Sequence, residues 1–320
     1  MRTDPLPVLL CFDAEPDDRH VEGRPEEWPG VGATAALLNR WRPRLAEASG
    51  RPAAFSWFLR LDPQIAELYG TALWPVSRYG KTLDSLRGAG DEVGLHVHTW
   101  RREPGGGPRW VCDFSDREWT DRCIESAFAA YEQAFGRRCQ SFRFGERWMS
   151  DEAMTSIERC GARFDLSLEP GHFDFASFDL KGEHFRGPFP DCRGVPDRPY
   201  RPSRRNFTRS GTWGSRRRLW EVPVTTAPTS MRTEPDSTVQ TLFLSAPPAL
   251  FAEVVAHRLA TRRTRHLAIV ARTDVGRRPD QAAPSEENLA HLAALARRRP
   301  LAFVTPEPAV RLAAARPLGG

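Results

Sequence analysis

Short apolar runs alternate along the chain with longer stretches whose apolar residues recur every three or four positions. The short runs predict buried strands and the longer stretches predict amphipathic helices. Strands are predicted at 8–12, 53–59, 92–98, 139–144, 163–168, 219–224, 266–271 and 301–304, and helices at 33–48, 76–88, 116–135, 150–160, 247–262 and 284–298. This order indicates an α/β fold of parallel βα units with about seven strands.

One segment, residues 171–218, interrupts this order. It is rich in Pro, Gly, Arg and aromatic residues, and it is longer than an ordinary loop. No linker or internal repeat divides the chain, so we predict a single domain over residues 1–320 with an insertion at 171–218. The insertion's aromatic residues form either a platform for stacking sugars or the packing of the insertion onto the domain. They are Phe173, Phe175, Phe178, Phe185, Phe189, Tyr200 and Trp213.

Composition places the chain among soluble globular proteins. Forty per cent of its 320 residues are apolar, which is sufficient for a large core. It contains no run of about 18 apolar residues, and its first seven residues lack the features of a secretory signal. We therefore expect a cytoplasmic protein without membrane insertion. The six cysteines form no C-x-x-C pair and are expected to be reduced and mostly buried.

The net charge of +5 is modest for this length, although arginines cluster at several points. Because the clusters are dispersed and no recognition motif accompanies them, they are interpreted as solvated faces, and no specific nucleic-acid partner is expected. An anionic polysaccharide or a nucleotide sugar remains a possible partner for the cluster at 201–218.

Four polar residues stand at the ends of two predicted strands. Asp13 and Glu15 share one face of the first strand's end, and His96 and His98 share one face of the third's, because alternate side chains of a strand point the same way. Two imidazoles and a carboxylate are sufficient for a catalytic zinc site, and the C-terminal ends of barrel strands are where such sites assemble. The pattern predicts a divalent-metal centre.

The order of three motifs resembles the polysaccharide deacetylases, also called the NodB-homology or carbohydrate esterase family 4. The motifs are Phe12-Asp13-x-Glu15, then Asp91-Glu92-Val93-Gly94-Leu95-His96-x-His98, then Ser141-Phe142-Arg143-x-Gly145. The similarity extends to Trp57–Arg60, Phe164–Gly171 and Glu221–Val224, which are typical of a bacterial branch linked to surface polysaccharides. It implies a distorted (β/α)7 barrel.

The resemblance also implies roles. Asp13 would be the general base, Arg143 would orient it, and an acid and two histidines would hold zinc or another divalent ion. The family has adjacent aspartates where Ala14 follows Asp13, so the ligand acid shifts to Glu15 or Asp17. The family's second histidine falls at Trp100, so His98 replaces it beside His96.

A third departure concerns the general acid. The family's late histidine corresponds to Arg272, which cannot donate a proton at neutral pH but can stabilise an oxyanion or bind an anionic substrate group. The acid would then come from elsewhere, with His20, His172 and His184 as candidates, or the protein is a weakened member. His257, His266 and His291 are expected to be structural.

Three further residues are candidates for substrate binding. Asp62 follows the second strand and either contacts substrate or caps the next helix. Trp100 lines the cleft or packs in the core, and Tyr200 lies in the insertion.

The resemblance implies metal-dependent deacetylation of an acetylated cell-surface glycan or its precursor. Two alternatives remain at this point. One is an inactive barrel that binds a glycan or a biosynthetic partner, and the other is hydrolysis of a different carbon–nitrogen bond.

Overall fold

Eight parallel strands form the main sheet of the computed structural model, which describes residues 4–17, 27–103, 109–173, 184–231, 239–261 and 263–315. These strands are β1 (Leu6–Ala14), β2 (Ser56–Arg60), β3 (Glu92–Val97), β6 (Ser141–Phe144), β7 (Phe164–Asp165), β9 (Trp220–Glu221), β12 (Leu267–Arg272) and β13 (Leu301–Phe303). Seven of them follow the order β12-β1-β2-β3-β6-β7-β9, and β13 pairs with the start of β1.

The sheet curls until its two edges meet. Thr225 N donates to Ala268 O at 3.0 Å, and Val270 N donates to Leu242 O at 3.1 Å, so irregular segments join β9 to β12. The strands β7 and β9 are shorter than predicted because the chain bends after Asp165, where the Ser167 hydroxyl accepts from Phe144 N in place of a backbone carbonyl. The result is the predicted distorted (β/α)7 barrel.

Eight α-helices in the described ranges connect the strands or pack outside them. They are α1 (Pro29–Ser49), α2 (Pro63–Tyr69), α3 (Trp74–Gly88), α4 (Arg117–Phe135), α5 (Asp151–Cys160), α6 (Pro248–Ala260), α7 (Pro279–Ala296) and α8 (Pro306–Ala315). The predicted helices are all present within a few residues of their expected ends. Short α8 was not predicted, because its alanine-rich pattern follows the last strand without a separate apolar run.

Local sequence signals explain where several helices begin and end. The carboxylates of Asp62 and Asp116 and the hydroxyl of Ser150 accept backbone hydrogen bonds as N-caps of α2, α4 and α5. Helix α4 ends at Gly136, whose φ of 64° lies in the left-handed region that favours glycine. These caps fix the loops that precede α2, α4 and α5, and those loops surround the C-terminal end of the barrel.

The barrel interior has an apolar half and a charged half. Leu9, Cys11, Phe58 and Leu166 belong to an apolar cluster that fills the N-terminal half. Further along the same face of β1 come Asp13 and then Glu15, both buried. Because residues two apart share a face, the inward side of β1 passes from packed apolar residues to buried charged residues.

Two small sheets cover this charged end. Strands β4 (Trp100–Arg102), β5 (Trp110–Asp113) and β8 (Phe185–Arg186) form one, and β10 (Thr226–Ala227) pairs with β11 (Gln240–Thr241) in the other. The sequence did not predict these strands, because each is too short to show periodicity. In the described part of the insertion, Cys192, Val195 and Tyr200 pack into the main hydrophobic cluster.

No helix in the described ranges is both long and apolar enough to cross a membrane. All six cysteines are free and five of them are buried, as predicted. The cytoplasmic location and the single-domain organisation stay predictions.

Candidate active site

Three side chains converge at the C-terminal end of β1 and β3. The ligand atoms of Glu15, His96 and His98 all lie within 4.8 Å of one another, and all three residues are buried. His98 Nε2 is 2.9 Å from His96 Nε2 and 3.3 Å from Glu15 Oε2, and His96 Nε2 is 3.9 Å from the same oxygen. One carboxylate and two imidazoles are a donor set that divalent zinc uses in catalytic sites. The residues present therefore fit a divalent ion.

Asp13 and Arg143 form an ion pair beside this cluster. Arg143 Nε donates to both Asp13 oxygens, at 3.0 and 3.1 Å, and its Nη1 donates to Leu166 O at 2.7 Å. Asp13 Oδ1 lies 3.8 Å from His96 Nδ1. A guanidinium fixed in this way holds the Asp13 carboxylate in one orientation beside the cluster.

A directed chain of hydrogen bonds joins the two histidines. The carbonyl of Arg143, 3.1 Å from His96 Nδ1, can only accept, so His96 carries its proton on Nδ1 and exposes a lone pair at Nε2. The indole N–H of Trp100, 3.2 Å from His98 Nδ1, can only donate, so His98 carries its proton on Nε2. That proton faces His96 Nε2 and Glu15 Oε2.

Burial and neighbouring charge set the protonation of the ligands. Burial lowers the pKa of His96 from its ordinary 6.5 to about 4, against the opposing effect of Asp13, so its imidazole is neutral at physiological pH. For Glu15, burial acts to raise the pKa, but the Arg272 guanidinium and the two imidazoles hold it well below its ordinary value. An ionised carboxylate and a neutral imidazole are the forms that bind metal ions.

Arg272 reaches the cluster from the end of β12. Its Nε lies 2.8 Å from Glu15 Oε1, and its Nη2 donates to Pro16 O at 2.7 Å. The guanidinium therefore neutralises the carboxylate of a candidate metal ligand from the side opposite to the histidines. The structure places Arg272 in the lining of the site as a partner of Glu15.

These side chains line a cavity of ≈ 120 Å³. Its described lining is Asp13, Glu15, His96, His98, Arg143, Gly145, Glu146, Arg147, Glu169, Phe243 and Arg272. Four carboxylates and three guanidinium groups leave one excess negative charge in this lining when both imidazoles are neutral. A cavity of this size takes a small group with a few water molecules.

Sequence reasoning missed three charged residues of the cavity: Glu146, Arg147 and Glu169. Arg147 Nε pairs with Glu169 Oε2 at 2.9 Å, and Glu146 Oε1 lies 3.6 Å from His98 Nδ1. Glu169 Oε1 is buried without a hydrogen-bond partner, and Arg143 Nη2 lies 4.0 Å away. All three residues follow barrel strands, and that position was the available signal.

The loop after β6 is strained where it passes under His98. Glu146 and Arg147 have φ values of 56° and 59°, in the left-handed region that non-glycine residues rarely adopt. A Cβ on Gly145 would lie 2.2 Å from His98 Cε1, so only glycine fits beneath the ring. Such strain is common where a chain positions functional groups.

The three residues predicted to bind substrate do not line the cavity. Asp62 is fully buried, caps α2, and binds Arg60 Nε at 2.8 Å and His98 N at 3.2 Å. Trp100 contacts the back of His98, and Tyr200 is buried with its hydroxyl donating to Phe207 O at 2.6 Å. The structure places these side chains in supporting positions.

The structure distinguishes the remaining candidates. Asp17 accepts from Gly30 N and pairs with Arg277, so it stands apart from the histidines, and Glu15 is the acid that meets them. His172 bonds to Thr241 Oγ1 at 3.0 Å behind Glu169, and His184 lies near Trp110 O at 3.3 Å. Neither lines the cavity. His20, Phe175 and Phe178 lie outside the described residues.

Of the other residues for which packing was an alternative, His266, Phe185 and Phe189 are packed and Trp213 is not. His266 Nε2 lies 2.7 Å from Pro223 O, and Phe185 and Phe189 pack against the main cluster. Trp213 is exposed. Arg217 of the 201–218 cluster is buried against α5, where it binds Thr155 Oγ1 at 2.9 Å.

Comparison with solved structures finds proteins that have a similar fold. A Parabacteroides distasonis protein named as a glycoside hydrolase/deacetylase matches with a TM-score of 0.61 at 14% identity, over 97% of this chain and 71% of that one. The chain shares the barrel fold of this structure. Matches with lower TM-scores include a Mycobacterium smegmatis protein named as a polysaccharide deacetylase, at 0.49 and 15% identity, over 98% of this chain and 92% of that one.

A family 4 carbohydrate esterase pseudoenzyme from Bacillus anthracis also matches, with a TM-score of 0.40 at 9% identity, over 92% of this chain and 63% of that one. No protein-family model and no curated protein matches the sequence. The match at a TM-score of 0.61 confirms the predicted barrel, and its identity of 14% establishes the fold alone.

Proposed function

We propose that this protein is a metal-dependent deacetylase that removes an N-acetyl or O-acetyl group from a cell-surface polysaccharide or its precursor. The observation that carries the proposal is the convergence of Glu15, His96 and His98 beside the Asp13–Arg143 pair. The deacetylase fold supports it, because the cluster lies at the end of the barrel where such sites form.

A divalent ion held by Glu15, His96 and His98 would act as a Lewis acid toward a substrate carbonyl and the attacking water. Zinc suits the donor set. The cavity of ≈ 120 Å³ has room for an acetyl group and water, so a sugar ring would remain at its mouth. Asp13 stands beside this space with its carboxylate held by Arg143.

Asp13 performs the proton transfers in this proposal. Its carboxylate accepts a proton from the attacking water while the water oxygen bonds to the acyl carbon. It then gives that proton to the departing sugar nitrogen or oxygen as the acyl bond breaks. If one carboxylate serves as both base and acid, the reaction needs no histidine at the position that Arg272 occupies.

The position of Arg272 favours a second candidate, a barrel that binds an acetylated glycan or a biosynthetic partner without hydrolysing it. The guanidinium pairs with Glu15 at 2.8 Å, and no third imidazole is present among the described residues of the cavity lining. A cation on the ligand carboxylate opposes a metal ion, and a missing proton donor slows departure of the sugar.

An acetate-release assay separates the candidates. Protein loaded with one equivalent of Zn²⁺ or Co²⁺ is incubated with N-acetylated and O-acetylated oligosaccharides, simple amides and cyclic ureides. We expect acetate from an acetylated sugar, dependent on the ion. Sugar binding without any product would support the binding barrel, and turnover of a ureide instead would indicate a different carbon–nitrogen hydrolase.

A further inference from the structure

The two histidines differ in where their protons sit. His96 exposes the Nε2 lone pair toward the cluster, because its Nδ1–H donates a hydrogen bond to the Arg143 carbonyl at 3.1 Å. His98 turns its Nε2 proton toward the same space, because its Nδ1 accepts from the Trp100 indole at 3.2 Å. Coordination through Nε2 requires a lone pair there, so only His96 is ready to act as a ligand.

Glu146 offers the alternative partner for His98 Nδ1. Its Oε1 lies 3.6 Å from that nitrogen, and the side chain is buried. A carboxylate behind a ligand histidine accepts the outer N–H and leaves the inner nitrogen free for the ion. The strained φ of 56° at Glu146 and the bare Cα of Gly145 place this carboxylate close to the ring.

We propose that Trp100 and Glu146 compete for His98 Nδ1 and thereby set the affinity of the site for its ion. Trp100 holds His98 in the Nε2–H tautomer, which cannot coordinate through Nε2. Glu146 stabilises the Nδ1–H tautomer, which can. This inference rests on the proposed metal site, and it assigns positioning roles to two residues that do not themselves belong to the ligand set.

Forming the metal-binding tautomer of His98 has a free-energy cost, which a substitution of Trp100 can remove. When His98 carries its proton on Nδ1, the Trp100 N–H faces another N–H where it faced a lone pair, and two donors in contact are unfavourable. Replacing Trp100 by Phe keeps an aromatic ring against Phe185, whose centroid lies 5.7 Å from the indole, and removes only the donor.

The affinity test measures the Kd for Zn²⁺ by competition with a chromophoric chelator. We expect Trp100→Phe to lower the Kd about tenfold and Glu146→Gln to raise it about tenfold. Trp110→Phe, on the neighbouring strand, and Glu152→Gln, at an exposed position of α5, are the matched controls and should leave the Kd unchanged. A Kd for Trp100→Phe equal to or above that of the wild type overturns the proposal.

The tautomer itself is read in the metal-free protein by long-range ¹H–¹⁵N correlation spectra of ¹⁵N-histidine, with His98→Gln as the assignment variant. We expect the wild type to carry the His98 proton on Nε2 and Trp100→Phe to move it toward Nδ1. A wild-type proton on Nδ1 contradicts the proposal. Because this measurement needs no ion, it decides the inference even if the protein fails to bind metal and the proposed function is wrong.

Discussion

The two sides of the cavity differ in how far the chain prepares them for metal chemistry. On the side formed by His96 and Asp13, His96 presents a lone pair and Asp13 is fixed by two hydrogen bonds from Arg143. On the opposite side, the partners of Glu15 and His98 are Arg272 and Trp100, a cation and a donor that both oppose a metal ion. Three ligand atoms lying close together are therefore weaker evidence for a metal site than the protons and charges of the groups that contact those ligands.

Removing the carboxylate of Asp13 tests the prepared side and should have the largest effect. Asp13→Asn keeps the shape but cannot accept a proton, so we expect acetate release to fall about a thousandfold. Zn²⁺ content, measured on the same sample, should be unchanged because Asp13 is not in the ligand set. Loss of the ion together with activity would show that Asp13 is a ligand, and the comparison of the two sides would fail.

Acid should destabilise the metal-free protein through its buried histidines. The pKa of His96 is lowered by burial from 6.5 to about 4, as is that of His266. Between pH 6.5 and 4 these two imidazoles are protonated in the unfolded chain but remain neutral in the folded chain. The stability that is present above pH 6.5 is therefore lost as the pH falls toward 4. Each group contributes roughly 3 kcal/mol over that range.

Urea unfolding at pH 7, 6 and 5 measures how the free energy of unfolding changes with pH. His266→Gln should reduce this pH dependence, because His266 lies outside the site and titrates independently. A free energy of unfolding that does not change between pH 7 and 5 would mean that His96 is not held neutral.

Filling the space under His98 tests the opposite side. In Gly145→Ala the added methyl would overlap the His98 ring, so the ring must shift and we expect the Kd for Zn²⁺ to rise roughly thirtyfold. Gly32→Ala in α1 is the control, because a Cβ there meets nothing within 4 Å. Unchanged binding by Gly145→Ala would place His98 outside the ligand set.

Removing the guanidinium of Arg272 should have the smallest effect and the opposite sign. Without this cation Glu15 has one fewer competing positive charge nearby, so we expect Arg272→Met to lower the Kd for Zn²⁺ several-fold. Arg277→Met, which removes a charge paired with Asp17, is the control. Weaker binding by Arg272→Met would show instead that the arginine organises Glu15.

Periodicity and position predicted much of this arrangement. The βα order predicted parallel βα units, and the strand ends predicted Asp13, Glu15, His96 and His98, because alternate residues share a face and parallel strands end together. The barrel and Arg143 were implied by the resemblance to the polysaccharide deacetylases. Glu169 and Glu146 also follow strands, but they lie in irregular loops where no period marks a side chain's direction.

The supporting contacts were beyond the reach of the sequence. Trp100 was predicted to contact substrate, and only the three-dimensional structure shows its indole behind His98. Asp62 illustrates the same limit: its pattern fitted both a substrate contact and a helix cap, and only the structure shows that it caps α2 and also accepts a long-range hydrogen bond from His98 N. Side-chain partners set by packing leave no local signal in the chain.

Metal content tests the central claim most directly. Full-length protein is purified without added ions or chelators, and its metals are counted by inductively coupled plasma mass spectrometry, with His96→Ala purified in parallel. The proposed site predicts about one divalent ion per wild-type chain and almost none in the variant. An empty wild-type protein that takes up no ion when Zn²⁺ is supplied, or an ion retained by His96→Ala, would contradict it.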